Sequence, residues 1–111
     1  MTDAHRTGHH PIDVELQIDQ VTIADPAEAT ATVRCLRGPV RYGARFDQIR
    51  DSVEVIDLEL TRIHVYGRSV EELAPPHSAL VTLRGTGAQL LTAGTSAAGW
   101  QVLQGTNPPT P

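Results

Sequence analysis

Apolar and polar residues alternate along much of the chain, and this alternation predicts β-strands. Val14, Leu16 and Ile18 alternate with acidic or amide residues, as expected of a strand with one buried face. The apolar parity then shifts to Val21. Because a shift of one residue turns every later side chain to the other face, we expect a bulge near Asp19-Gln20.

Five further strands follow from the same pattern. Residues 29–36 carry alternate small residues on one face, and the long run 53–66 changes apolar parity twice, as strands do at the corners of small barrels. The other strands begin at Ala44, span 79–83 and span 100–103. Six short strands joined by loops of these lengths predict an all-β fold, a small closed six-stranded antiparallel β-barrel.

Two connecting segments carry their own expectations. Ser69 to Leu73 fits a single helical turn, with Ser69 as the N-cap and Glu72 as its partner in a capping box. Pro75-Pro76 would end that turn, because proline interrupts the backbone hydrogen bonding of a helix. Leu90-Leu91 is expected in a loop or a short turn.

The chain of 111 residues predicts one domain between two disordered tails. Residues 1–11 are polar and close with a proline, which is typical of a flexible terminus. Residues 106–111 are rich in proline and cannot form a strand ladder, so we expect a second free tail there. The β-barrel domain is therefore predicted over residues 12–105.

Composition excludes several kinds of chemistry. The net charge is −4, and the chain has no lysine, so phosphate-loop, Schiff-base and kinase-type lysines are all excluded. Cys35 is the only cysteine, which excludes an internal disulfide, and it is expected to be a small buried apolar residue. Residues 1–10 lack the apolar stretch of a signal peptide, and no segment has the length of an apolar membrane span. We therefore expect a cytoplasmic protein with no membrane partner.

Three segments, in this order along the chain, resemble the second domain of translational GTPases, the elongation factor Tu domain 2 barrel. They are Arg34-x-x-Arg37-Gly38-x-Val40-x-x-Gly43, then Ile63-x-x-Tyr66 followed by Arg68, then Leu83-Arg84-Gly85-Thr86 followed by Gly94. The resemblance covers about residues 16–103 and implies a barrel of the translation-protein type. It also implies that glycines lie where strands turn.

The chain departs from this family where the family binds nucleotide and aminoacyl-tRNA. It contains no phosphate loop, so we expect no nucleotide binding. The family's glycine-containing loop is replaced by residues 74–79, which have no glycine. The family's charged residues for the aminoacyl end fall at His64 and at Gly67 or Arg68, and its loop asparagine falls at His77. The resemblance therefore implies a barrel without the family's aminoacyl pocket.

Arginines supply the first candidate binding surface. Five of them fall in one hairpin region that holds a single acid, Asp47: Arg34, Arg37, Arg41, Arg45 and Arg50. Arginine binds phosphate and carboxylate through its planar fork, so the cluster predicts a basic patch for RNA or an acidic protein. The alternative is a solvated outer face. We take Arg37, Arg41 and Arg84 as the residues expected to contact a partner.

The sequence thus predicts a stand-alone, non-enzymatic binding module that contacts a protein or ribonucleoprotein partner. One alternative is a small-ligand or enzymatic barrel that uses His64 and His77 around a pocket. Another is an accessory subunit to a separate GTPase. No cofactor is expected, and no metal site, because His5, His9 and His10 lie in the predicted tail without the further ligands that a tetrahedral site needs.

Overall fold

A computed structural model describes residues 12–24, 26–91 and 100–109, which form nine β-strands and one short 3-10 turn. The predicted tail of residues 1–11 and the motif residue Gly94 lie outside the described residues. The strands are β1 (Val14–Ala24), β2 (Glu28–Arg37), β3 (Val40–Arg41), β4 (Arg45–Ile49), β5 (Val55–Val65), β6 (Arg68–Ser69), β7 (Glu72–Leu73), β8 (Ser78–Thr86) and β9 (Val102–Thr106); the 3-10 turn is Ala88–Leu90.

Six of these strands form a closed barrel, as predicted. They are hydrogen-bonded in the order β4-β9-β1-β2-β8-β5, and β5 pairs back onto β4 to close the ring. Every pairing is antiparallel. Closure gives each wall strand two neighbours and so removes the open edges that an apolar sheet would expose. β6 extends from β5 beside the barrel, and β3 pairs with β7 as a separate two-stranded ribbon.

Irregular register bends the wall strands at the positions where the apolar parity changes. The pairing of β1 with β2 shifts between Ile18 and Gln20, which confirms the bulge predicted near Asp19-Gln20. The pairing of β5 with β8 shifts between Leu60 and Arg62, where the buried series passes from Leu60 to Ile63. A bulge inserts one residue, so the strand curls and the next apolar side chain again faces the interior.

The core consists mainly of aliphatic side chains from alternate positions of these strands. In β2 all four predicted positions are fully buried: Ala29, Ala31, Val33 and Cys35. Phe46 of β4 heads the largest fully buried side chains. Phe46 and the small residues of β2 belong to the same core cluster, in which large and small side chains fill the interior together.

Two sequence predictions about the connections are wrong. Residues 69–73 form no helical turn: Ser69 pairs with His64 across the β5–β6 hairpin, and the Val70 N–H donates to the Ile63 carbonyl at 2.9 Å. Tertiary pairing thus overrides the local capping pattern. Val53, predicted to begin the long apolar strand, is 97% exposed in the loop before β5.

The β3–β7 ribbon covers the end of the barrel where β2 finishes. Val40 and Leu73 pack into the core from this ribbon. The ribbon is held by Asn107, which follows β9: its Oδ1 accepts from the Arg41 N–H and its Nδ2 donates to the Pro39 carbonyl, both at 2.9 Å. The sequence placed residue 106 in the free tail, whereas the structure includes it in β9.

We expect Asn107→Ala to lower the free energy of unfolding by about 1–2 kcal/mol, because it removes two hydrogen bonds worth about 1 kcal/mol each. Urea unfolding followed by circular dichroism measures the change. Asn107→Asp is the matched variant: it keeps the acceptor for the Arg41 N–H but replaces the donor to Pro39 with a carboxylate oxygen, which the Pro39 carbonyl repels. If Asn107→Asp lowers the free energy of unfolding and Asn107→Ala leaves it unchanged, this account of the ribbon is contradicted.

Candidate functional site

The structure brings His64 and His77 to one groove on the outside of the barrel, here called the histidine groove. It has a volume of about 580 Å³ and lies between the β5–β6 turn and the loop before β8. The other lining residues come from β2, the β5–β6 turn, the loop and β8: Thr32, Val65, Tyr66, Gly67, Pro76, Ser78, Ala79 and Leu80. His64 and His77 therefore line the same groove.

Neighbouring strands fix the position of each imidazole. His64 lies on the outer face of β5, opposite Leu80 of β8 on one side and Ser69 of β6 on the other. His77 precedes β8, where its N–H donates to the Ala74 carbonyl and its carbonyl accepts from the Cys35 N–H, both at 2.9 Å. These backbone bonds hold the loop against β2, so His77 occupies a defined place beside the groove.

Tyr66 stands at the mouth of the histidine groove in an unusual backbone conformation. Its φ is 53°, that of Gly67 is 78°, and together they form the two-residue turn between β5 and β6. Positive φ at both positions is the type I′ pattern, where Asn-Gly is the common choice. A bulky residue there costs about 1–2 kcal/mol, and the Tyr66 side chain is 98% exposed.

Sequence reasoning did not select Tyr66 as a site residue. It noted the aromatic only as the end of a strand that resembles the translational GTPases. A signal was nevertheless present, since Tyr-Gly occupies the position where a tight hairpin turn usually has Asn-Gly.

Charge is distributed unevenly around the histidine groove. No carboxylate lines it. Arg34 follows Thr32 by two residues on β2, and Arg62 precedes His64 by two residues on β5, so both lie on the face that carries the groove. Among the residues that the structure describes, neither arginine has a carboxylate within 4.0 Å. The groove is therefore flanked by two unpaired positive charges.

The three arginines expected to bind a partner do not come together. Arg84 lies opposite Glu28, and their side chains approach to 3.6 Å. Arg37 is at the other end of β2, nine residues from Glu28, which places it about 30 Å away at the rise of a β-strand. Arg41 lies on β3, in a separate depression of about 500 Å³ with Tyr42 and the Glu71–Glu72 pair.

The arginines of the hairpin region are also dispersed. Arg45 forms ion pairs with Asp57 at 2.7 Å and with Glu59 at 3.8 Å. Arg50 lies in the turn beyond β4. Arg45 and Arg84 border a second open groove of about 710 Å³, in which their charges face carboxylates. Exposed pairs of this kind contribute little to stability, and here they neutralise the surface locally.

The remaining reactive groups give little support for catalysis. Burial raises the pKa of the Cys35 thiol, whose Sγ–H donates to the Arg37 carbonyl at 3.6 Å. A thiol of raised pKa is a poor nucleophile at neutral pH. Within the described ranges no cluster of His, Cys, Asp or Glu is arranged to hold a metal ion. His5, His9 and His10 lie outside those ranges.

Comparison with known proteins identifies the barrel. No protein-family model and no curated protein matches the chain. A crystal structure of the translation elongation factor SelB from Methanococcus maripaludis in its apo form matches 86% of this chain at a TM-score of 0.65 and 15% sequence identity. The fold fits the elongation factor Tu domain 2-like barrel that the sequence motifs predict.

This domain 2-like barrel corresponds to 19% of the SelB chain. The identity is low enough that the match establishes the fold alone. Within the barrel, residues 74–79 form the loop that carries His77 into the histidine groove. In the part of the chain that the structure describes, no helix is long and apolar enough to cross a membrane.

Proposed function

We propose that this protein is a non-enzymatic, translation-factor-like binding module that docks a protein or ribonucleoprotein partner on the histidine groove. The observation that carries the proposal is Tyr66, whose side chain is 98% exposed on a left-handed turn at the mouth of a largely apolar groove. Tyrosine is enriched among the residues that dominate binding energy at interfaces. A strained backbone at an exposed aromatic is the kind of outlier from which function can be inferred.

The surroundings of the two imidazoles favour binding over catalysis. A catalytic histidine is usually oriented by a hydrogen bond that its ring N–H donates to a third group. Among the described residues, no side chain hydrogen bonds to the imidazole of His64 or His77. Leu80, also 40% exposed, lies beside His64 on the floor of the groove and adds apolar surface that a partner can cover.

The second candidate function uses the same groove for a small ligand or a reaction, and it is favoured by the convergence of His64 and His77 on one cavity. A third, an accessory role beside a separate GTPase, draws support from the likeness to one part of the SelB chain. A cytoplasmic location belongs to the same proposal and is supported by the free, buried Cys35, which suits a reducing compartment.

Affinity capture from native lysate tests the docking function when it compares two tyrosine variants. Asparagine is well tolerated at positive φ, so Tyr66→Asn should remove the aromatic without unfolding the turn. Tyr42→Asn is the control, because Tyr42 is also exposed and lies in the depression beside Arg41. We expect Tyr66→Asn to reduce partner recovery at least tenfold, and Tyr42→Asn to leave it unchanged, by mass spectrometry and RNA sequencing of the eluate.

Further variants separate the alternatives. Equal recovery with Tyr66→Asn and the parent protein would remove the histidine groove as the docking site. If only the double variant Arg37→Glu plus Arg41→Glu reduces partner recovery, the docking site is at the β3 end of the barrel instead. If His64→Gln and His77→Gln abolish small-molecule binding while Tyr66→Asn has no effect on partner capture, the ligand-binding alternative is preferred.

A further inference from the structure

The geometry points to an acidic peptide segment with one apolar anchor as the occupant of the histidine groove. This inference deepens the proposed docking function and rests on it. The groove has an apolar centre with an arginine on either side. The apolar centre would bind an apolar side chain of the partner, and the arginines would bind its acidic side chains.

The apolar part of the groove is central. Leu80 lies between Thr32 on β2 and His64 on β5, and Tyr66 stands beside it at the β5–β6 turn. An aromatic or large aliphatic side chain of a partner can pack against Leu80 and Tyr66, and both surfaces would lose contact with water. Burial of such a side chain supplies about 1.5–3 kcal/mol in comparable settings, although ordering of the segment offsets part of it.

The two unpaired arginines flank this centre along β8. Arg34 lies opposite Ser78, two residues before Leu80, and Arg62 lies opposite Thr82, two residues after it. The four-residue separation of Ser78 and Thr82 corresponds to about 13 Å along the strand. Arg34 and Arg62 are also about 10 Å apart across the sheet, because β8 lies between their strands. An extended peptide lying along β8 covers the span of about 13 Å between residues four apart, and the long arginine side chains extend toward it from either side. The expected pattern is therefore an acid, a spacer, an apolar anchor, a spacer and a second acid.

Glu28 lies in the same shallow depression as Arg62, but the ion pair it forms is with Arg84. Glu28 and Glu59 lie opposite Arg84, four residues beyond Leu80 on β8. Glu28 approaches Arg84, and Glu59 approaches Arg45, so their charge is already matched. The cations beside the histidine groove are thus the free positive charges on this face, and carboxylate is the complementary group.

Single-stranded RNA fits the groove less well than a peptide does. Platforms for single strands stack successive bases on several aromatic side chains along a continuous basic track. Apart from His64 and His77, Tyr66 is the one aromatic residue that lines the groove, and the protein carries a net charge of −4. The basic track is also interrupted by the carboxylates around Arg84.

Fluorescence anisotropy with short labelled probes tests the inference on the full chain. The probe is a neutral-capped peptide Gly-Glu-Ser-Phe-Ser-Glu-Gly; its counterparts carry lysine in place of glutamate, or alanine in place of phenylalanine, and a ten-residue oligouridylate represents RNA. We expect the acidic peptide to bind at least tenfold more tightly than each counterpart and the RNA. Its affinity should fall as salt is raised, since the charges are exposed.

Charge reversal locates the binding. Arg62→Glu is expected to weaken the acidic peptide at least tenfold, and the lysine peptide should then bind better than it does to the parent protein. Arg50→Glu is the matched control, because Arg50 is exposed in the turn beyond β4, at the far end of β5 from His64. Circular dichroism verifies that both variants keep the fold.

Tighter binding of the oligouridylate than of the acidic peptide would overturn the inference, and so would equal effects of Arg62→Glu and Arg50→Glu. If the acidic peptide does not bind but capture of a partner from lysate still depends on Tyr66, the chemistry proposed for the partner is wrong and the docking function stands. If capture does not depend on Tyr66, both proposals fall.

Discussion

Gly85→Ala is expected to destabilise the barrel by about 3 kcal/mol or more, which combines the cost of a disallowed backbone with that of overpacking. Gly85 lies in β8 opposite Leu58 of β5, at a φ of 139°. A Cβ at this position would overlap the carbonyl oxygen of Asp57. Since that oxygen belongs to the neighbouring wall strand, relief requires β5 and β8 to separate. Urea unfolding followed by far-ultraviolet circular dichroism measures the effect.

Gly67→Ala is the matched control for this substitution. Gly67 also has a positive φ, 78°, but a Cβ there would meet no atom within 4 Å. We expect a loss of about 1 kcal/mol, the cost of left-handed backbone alone. If the Gly85 variant shows no cooperative transition while the Gly67 variant unfolds normally, the result still agrees with the steric account. Equal shifts of the two midpoints would refute it.

Phe46→Ala is expected to lower the free energy of unfolding by about 3–5 kcal/mol, the range for removal of a buried aromatic ring. Phe46 is the only phenylalanine, and it is fully buried between Leu58 of β5 and Gly105 of β9 in the strand register. A closed ring of strands cannot easily collapse into the space that the ring leaves. Domains of ordinary stability have about 5–15 kcal/mol in total, so the variant should be near its unfolding threshold at room temperature.

Val53→Ala provides the contrast, because Val53 is 97% exposed. We expect a change within about 0.5 kcal/mol, as is usual for surface substitutions. Phe46→Leu should lower the free energy of unfolding by more than Val53→Ala and by less than Phe46→Ala, since leucine fills part of the cavity. A Phe46→Ala midpoint no lower than that of Phe46→Leu would show that the barrel does repack around the missing ring.

The alternation of apolar residues was sufficient to predict the barrel, because β1, β2, β5 and β8 bury alternate side chains over most of their length. The bulge near Asp19-Gln20 was predictable for the same reason: a parity change has no other simple cause in a strand. The predicted helical turn at residues 69–73 failed because a capping pattern is local, whereas the pairing of Ser69 with His64 depends on the whole hairpin.

The role of Gly85 needed the structure. Its sequence context suggested a turn, but it lies inside β8, where the absence of a Cβ permits close approach to β5. Gly43 does lie in a turn, with a φ of 92°. Sequence alone cannot distinguish the two uses of glycine, because the distinction depends on what faces the residue across the sheet.

The site was only partly predictable. His64 and His77 were candidates as separate residues, but their convergence follows from the register that sets His64 opposite Leu80, three residues after His77. The separation of Arg84 from Arg37 follows from the antiparallel pairing of β2 with β8. Tyr-Gly at a hairpin turn was the only sequence signal for Tyr66, and it gave neither the 98% exposure of the residue nor its place on the histidine groove.

The first and last wall strands along the sequence, β1 and β9, are direct neighbours in the barrel. Val14 lies opposite Gly105, and the Asp13 N–H donates to the Gly105 carbonyl at 2.9 Å. The chain therefore enters and leaves the barrel at adjacent points. Such a domain can be inserted into a loop of a larger protein without separating the ends of that loop. It can also be circularly permuted by joining its termini and opening the chain elsewhere. A barrel of this kind that corresponds to 19% of a longer chain, as in the SelB match, is compatible with that geometry.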